Sequence, residues 1–259
     1  MNQMSNWNPD QYLKFARQRT QPSIDLAAKV TAENPTSVID IGCGPGNSTR
    51  VLLERWPNAR VSGLDSSPEM IKKAKADLPD IEWITGDAGT FTFENEYDVV
   101  FSNAAIQWMQ GHEALVPRLY GIVKSGGALA VQIPADQGSP IRRSLLSVSA
   151  QEKWSKYTSG RERLMNYRTA EYYYDILAGI GGRFDVWETV YYHVLDSHKD
   201  LIEWYKGTAL RPFLEKMPDD AIRKEFEDEI LDGCKDQYEI RNDGKVLYPF
   251  RRIFFVAYK

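Results

Sequence analysis

Asp40, Gly42, Gly44 and Gly46 lie within the run Val38 to Gly46, between a short apolar stretch and the polar triplet Asn47-Ser48-Thr49. Glycines lack the Cβ atoms that keep a ligand away from backbone N–H groups, and the triplet opens a helix whose first N–H groups have no intrahelical partner. Such an end attracts a carboxylate or a phosphate. A dinucleotide turn, however, has a further glycine three places after its second one, and position 47 is Asn. Asp40, two residues before the turn, would oppose a pyrophosphate but suit an ammonium or a sulfonium group.

S-adenosylmethionine carries both of those cations, and its carboxylate suits the helix end. On that reading Asp40, Gly42, Cys43 and Gly44 line the amino-acid part of the ligand. Arg60 to Asp65 is a second strand ending in an acid about 20 residues past the turn, where such an acid binds ribose hydroxyls. Asp65 is the ribose candidate, with Ser66 beside it. Ile81 to Ala88 is a third strand, whose terminal Asp87 and Ala88 meet the adenine edge. Tyr97 to Ala104 is a fourth, and its terminal Asn103 lines the methyl group. Met70 leans toward the adenine or packs as an ordinary core side chain.

Strands and helices alternate around these residues as in an α/β sheet, with helices at 47–56, 67–76 and 113–123. Ser67 is a plausible N-cap with Pro68 at the first helical position. Before the first strand, 10–30 reads as a helix, with Tyr12, Phe15 and Arg19 on one face. That face closes over the ligand, or it packs and leaves Arg19 solvated. Gly126-Gly127 turn into a fifth strand, 128–133. The pattern is helical over 140–156, a polar loop over 157–163, and helical over 171–180 up to Gly181-Gly182. The strand 184–194 puts Phe184, Val186, Val190 and Tyr192 on one face and Trp187, Tyr191 and His193 on the other. Nearly fifty residues, 196–243, separate it from the last strand, 246–258. That is too long for a plain hairpin connection, so the insertion is expected to form a helical cap over the substrate.

The chain has 259 residues and a formal net charge of -4, which fits one domain with a cofactor-binding core at 31–134 and gives no broad basic surface for nucleic acid. Two cysteines, Cys43 and Cys234, make neither a disulfide framework nor a zinc site by themselves. The N-terminal residues carry no basic leader with an apolar stretch, and no run approaches a membrane span. A cytoplasmic protein without nucleic-acid, membrane or metal partners is expected. The pattern leaves its oligomeric state open.

At the glycine turn and the four strand ends the chain resembles the class I S-adenosylmethionine-dependent methyltransferases. The resemblance extends to Ser5 to Pro9, Ser102 to Trp108, Thr189 to His193, Thr208 to Pro212 and Arg252 to Ala257, where the chain is similar to the trans-aconitate methyltransferase family. It implies a Rossmann-like fold with a mostly parallel seven-stranded sheet, one antiparallel strand and a helical cap. The implied reaction is methyl transfer from S-adenosylmethionine to a carboxylate of trans-aconitate, with S-adenosylhomocysteine as product. It also implies that Tyr12 and Arg19 close over the cofactor.

A polycarboxylate needs cationic and phenolic donors, preferably Arg, whose fork matches both carboxylate oxygens. The resemblance falls on Arg211 and Arg252, each of which alone also reads as an ion-paired surface residue. Tyr191, His193 and Trp204 add donors and a wall. Trp108 shields the sulfonium or packs in the core. Arg161 and Arg163 are weaker substrate candidates. A carboxylate acceptor is already ionised, so no catalytic residue is expected beyond those that position the reactants. The same turn also suits an enzyme acting on another small acid or a hydroxyl compound, or a non-catalytic sensor of the same cofactor.

Overall fold

The computed structural model describes residues 16–160 and 165–259. Tyr12, Phe15, the segment Ser5 to Pro9, and Arg161 and Arg163 lie outside the described residues.

Seven strands form one sheet: β1 (Ser37–Ile41), β2 (Arg60–Asp65), β3 (Glu82–Thr85), β4 (Tyr97–Asn103), β5 (Val123–Pro134), β6 (Arg183–Leu195) and β7 (Val246–Tyr258). Their order is β3-β2-β1-β4-β5-β7-β6. Strands β1 to β5 pair in parallel, while β7 runs antiparallel to both β5 and β6. This is the mostly parallel sheet with one antiparallel strand that the family resemblance implies. β1, β4 and β5 read as near-continuous apolar runs because the sheet is covered on both faces. Leu26 and Ala27 of the helix Ala16–Lys29 and Val51 and Leu52 of Asn47–Arg55 bury against Val38, Phe101, Ala130 and Phe254 on one face. Leu115 and Leu119 of His112–Gly121, with Tyr173 and Leu177 of Ala170–Ile180, cover Ile39, Val100, Val131 and Phe255 on the other.

A third core lies beyond the sheet. Between β6 and β7 the chain forms the helices Lys199–Lys206, Arg211–Leu214 and Asp220–Asp232. Trp204, Phe213, Phe226 and Ile230 from these helices pack with Tyr248 and Phe250 of β7. Ile141, Leu145 and Trp154 join the same cluster, so the helical layer is built from two separate chain segments rather than from 196–243 alone. The helical stretch read over 140–156 is in fact two helices, Pro140–Ser149 and Glu152–Thr158. Ser149 Oγ donates to the Leu146 carbonyl and Thr158 Oγ1 donates back to the Ser149 carbonyl, side-chain bonds that compete with a continuous helical ladder. The break lets Leu145 and Trp154 bury in one core. Among the described residues, no helix is long and apolar enough to cross a membrane.

Candidate active site

The glycine turn follows β1 and is held open by its neighbours. Gly42, Gly44 and Gly46 all have positive φ, at 69°, 54° and 93°. The Gly42 and Cys43 N–H groups donate to the Leu64 carbonyl at 2.7 and 3.1 Å, docking the turn on the end of β2. A Cβ at Gly42 would sit 2.2 Å from that of Ala105, whereas one at Gly44 would meet nothing within 4 Å. The first glycine is therefore required by packing, and the second faces open space. Gly46 caps the helix Asn47–Arg55 without a side-chain acceptor, so the first-turn N–H groups have no capping side chain.

Asp40 lies fully buried beneath this helix. Its Oδ2 accepts from Ser48 Oγ and Thr49 Oγ1, both at 2.7 Å, and its Oδ1 has no hydrogen-bond partner. Burial pushes its pKa up to about 6, against the lowering effect of the two hydroxyls, and nearby Asp65 raises it further. Asp65 spans the turn: Oδ2 accepts from the Gly44 N–H and Oδ1 from the Ser67 N–H, each at 2.9 Å. The Gly44 N–H, read from sequence as a ligand donor, is thus taken by Asp65. Ser67 Oγ in turn accepts from the Met70 N–H, fixing half-buried Met70 in the first turn of Pro68–Asp77. Cys43 turns its thiol inward against Ile71, Ala74 and Trp83, leaving only its backbone at the turn. Ser66 is exposed, as is Asp87, whose Oδ1 accepts from the Gly89 N–H at 2.8 Å, and Ala88 is buried beside it.

At the end of β4, Asn103 presents a buried Oδ1 without a partner. The next residue, Ala104, has φ 52°, a backbone conformation a non-glycine residue rarely adopts. Trp108 is 40 % exposed and is therefore not a core side chain. Asn103 pairs in register with Gln132 of β5, so the two amides share one sheet face at the carboxyl ends of adjacent strands.

From Gln132 a buried polar cluster continues away from the turn. Arg252 Nη1 donates to Gln132 Oε1 at 3.1 Å, while Gln132 Nε2 is buried without a partner. The Arg252 guanidinium stands over the Phe250 ring at 4.6 Å and faces Tyr191 at 5.9 Å. His193 packs on Trp204 with ring centroids 4.3 Å apart, and its buried Nε2 has no partner. Burial, reinforced by Arg252 and Arg19, pushes His193 down to about 3, so the ring is neutral. Arg19 reaches over from the first helix, 5.2 Å from the Trp204 ring, with Nη2 donating to the Trp204 carbonyl at 3.4 Å.

Two of the expected substrate donors are already engaged. The Tyr191 hydroxyl donates to Asp25 Oδ2 at 2.5 Å. Arg211 begins a four-residue helix, and its Nε donates to Glu215 at 2.7 Å.

The residues fit a ligand with the charges of S-adenosylmethionine. The orphaned Asp40 Oδ1 suits an ammonium donor, the open ground at Gly44 gives its backbone room, and the Asn103 carbonyl oxygen awaits a positive group. Asp65 keeps free lone pairs on two oxygens that each accept one backbone N–H, enough for ribose hydroxyls.

Comparison with known proteins gives this geometry a family. Residues 38–127, spanning the glycine turn and all four candidate strand ends, match a family model described as a methyltransferase domain. The chain is 38 % identical over 257 residues to a trans-aconitate 2-methyltransferase of Azoarcus sp., covering 98 % of this chain and 99 % of that one. With a relative of the same name from Methylobacterium radiotolerans it shares 40 % identity over 261 residues, covering 99 % of each. The chain belongs to the trans-aconitate 2-methyltransferase family. Its fold is also that of solved structures at lower identity. A Bacillus subtilis protein, YcgJ, has a TM-score of 0.60 and 12 % identity over 92 % of this chain and 98 % of its own. A Haemonchus contortus phosphoethanolamine N-methyltransferase, solved with S-adenosylmethionine, has a TM-score of 0.58 and 19 % identity, covering 92 % and 52 %.

Within this trans-aconitate 2-methyltransferase family member, sequence reasoning missed Gln132 and Asp136, two buried polar residues flanking Pro134 at the end of β5. A polar residue interrupting the last turn of an otherwise apolar buried strand was the available signal. Asp136 accepts from Tyr205 Oη and, at 2.8 Å, from Tyr248 Oη, and burial pushes it up to about 6 despite both donors.

Proposed function

We propose that the protein transfers a methyl group from S-adenosylmethionine to one carboxylate of trans-aconitate, forming the monomethyl ester and S-adenosylhomocysteine. The observation that carries this reading is the in-register pair Asn103 and Gln132, which joins the glycine turn to the buried cluster of Arg252, His193 and Trp204. The names of the full-length relatives supply the acceptor.

We assign Asp40 to the ammonium group and the Asn47 helix end to the carboxylate of the methyl donor, with Gly42, Cys43 and Gly44 contributing backbone. Asp65 and Ser66 are assigned to the ribose, and Met70, Asp87 and Ala88 to the adenine. Asn103 and Trp108 face the reacting end. Arg252 is the principal acceptor ligand, supported by His193, Trp204, Tyr191 and Arg211. Arg19 and Tyr12 are assigned to closure over the cofactor, and the helical layer over 140–158 and 196–243 is the cap. Two buried free thiols accord with a cytoplasmic site of action.

S-adenosylmethionine, when bound, supplies an electrophilic methyl group on a sulfonium. An acceptor carboxylate has an ordinary pKa of about 4 and attacks in its ionised form, so no side chain has to remove a proton. Neutral His193 serves as a hydrogen-bonding wall. The protein's contribution is then to hold the two reactants in line, which is worth roughly 7 to 11 kcal/mol of the barrier. Arg252, braced by Gln132, sets the direction of the acceptor carboxylate. Burial of the cluster keeps water from screening that contact.

Purified protein incubated with methyl-labelled S-adenosylmethionine and trans-aconitate tests the reading. Labelled product that releases methanol in mild base is the expected outcome. Label that resists base, or none transferred to any small carboxylic acid, overturns it.

A further inference from the structure

Trans-aconitate has three carboxylates, and Arg252 with Gln132 accounts for one. The helix Pro140–Ser149, which follows the end of β5, carries a second buried cation. Arg142 is only 4 % exposed, yet among the described residues its guanidinium forms no hydrogen bond and no ion pair. It stands over the Tyr167 ring at 5.3 Å. Its position is fixed from the backbone: Ser139 caps the helix, its Oγ accepting from the Arg142 N–H at 3.2 Å.

A buried charge without a hydrogen-bonded partner is costly unless a ligand or a nearby charge compensates it. Asp136, four residues before the first residue of this helix, provides partial compensation across space, and its Oδ2 already accepts from the Tyr205 and Tyr248 hydroxyls. The Tyr167 phenol, which carries Arg142 over its ring, also feels the charges of Asp136, Arg142 and Arg252. Arg252 belongs to β7, paired with Pro134 at the end of β5, and Arg142 belongs to the helix that follows β5. Both therefore lie at the carboxyl-end side of the sheet where open α/β folds bind ligands.

Resting on the function proposed above, we infer that Arg142 binds a carboxylate of the acceptor other than the one that is methylated, making it a specificity residue for polycarboxylates. Arg252 and Arg142 then grip the acid at two points near Tyr167. One guanidinium fork orients the reacting end and the other selects for a second charge.

The test compares wild type, R142Q and R142K on trans-aconitate and on the dicarboxylates made by replacing one of its carboxylates with hydrogen. R142Q is expected to lower kcat/KM for trans-aconitate by roughly 10- to 100-fold, mainly through KM, the range for a lost charge-assisted hydrogen bond. At least one dicarboxylate should change by less than about twofold, because it lacks the group that Arg142 holds. Affinity for S-adenosylhomocysteine, measured by calorimetry, should not change. Equal losses on every acid, or no loss on any, overturn the assignment. Should R142Q fail to bind S-adenosylhomocysteine, R142K decides: a selective loss of roughly three- to tenfold on the tricarboxylate supports the inference, and wild-type kinetics overturn it. A wild-type enzyme that methylates none of these acids overturns the proposed function itself, whereas an active wild type with indifferent Arg142 variants overturns only this inference.

Discussion

Gln132 accepts a hydrogen bond from Arg252 Nη1 at 3.1 Å, and its own amide N–H₂ is buried without a partner. One fully buried amide thus braces the principal cation and keeps a donor in reserve. Replacing Arg252 by Ala should lower kcat/KM for trans-aconitate by roughly a hundredfold, the upper range for a lost charged hydrogen bond. Gln132→Ala should cost roughly tenfold, with KM rising more than kcat falls. Steady-state kinetics alongside S-adenosylhomocysteine titration separates these effects from damage to the fold. Parity of Q132A with wild type would remove Gln132 from the site.

The two inner glycines of the turn should respond differently to the same substitution. Gly42→Ala meets the Ala105 Cβ at 2.2 Å and should lower both Tm and cofactor affinity. Gly44→Ala meets no protein atom within 4 Å and has φ 54°, so its cost to stability is limited to the left-handed backbone, about 1 to 2 kcal/mol. Its cofactor affinity should nonetheless fall more than tenfold, because the new methyl group fills the ground where the ligand meets the backbone. Thermal melts and calorimetry on the two variants check this split.

With Asp40 assigned to the ammonium group, cofactor binding is predicted to depend on pH. Burial raises its pKa from 3.8 to about 6, so below that pH the unliganded site holds a neutral acid with no charge to offer an ammonium group. Affinity for S-adenosylhomocysteine should weaken roughly tenfold per pH unit below about 6 and level off above it. Asp40→Asn should bind weakly throughout, with the pH dependence removed. For the unliganded fold the sign is opposite. A raised carboxylate pKa contributes stability that is fully present below pH 3.8 and lost as pH rises through about 6.

His193 acts in the reverse sense. Its pKa falls from 6.5 to about 3, chiefly through burial, so the folded state binds fewer protons than the unfolded chain. The associated stability is fully present above pH 6.5 and is lost as pH falls toward 3, by roughly 2 to 4 kcal/mol across that span. His193→Gln should flatten this acid limb in denaturant melts taken from pH 7 to pH 4. The rate profile of the wild type should show no step near pH 6.5 from this ring.

Much of the cofactor half was legible in the linear chain. Asp40, the glycines, Asp65 and Asn103 sit at strand ends, and strand ends in a parallel sheet are announced by short apolar runs that stop at polar residues. The long 196–243 insertion was legible for a similar reason, since a connection that long between neighbouring strands has to build structure of its own, whereas the single antiparallel strand was implied by the family resemblance.

The acceptor half was legible only in part. Arg252 stands out by type and by the family resemblance and His193 by its strand face, but Tyr191, read as a substrate donor, is bound to Asp25 of a helix 166 residues away in sequence. Arg211, read as an acceptor ligand, shares its Nε with Glu215 one turn on, a pairing that helical spacing permits but does not require. Arg142 is one of two adjacent arginines opening a helix, and nothing local distinguishes the buried one from Arg143, which bonds the Gly138 carbonyl and Gln237.

What the sequence by itself determined is therefore the sheet, the turn and the chemistry that the turn accepts, because these depend on local backbone geometry and on two-residue or helical periodicity. Tertiary structure alone decided which cations are buried, which carboxylate oxygens remain unpaired and which phenols are already engaged. Those outcomes depend on desolvation and on partners brought together from β5, β6, β7 and the helical layer, and neither quantity is carried by any stretch of neighbouring residues.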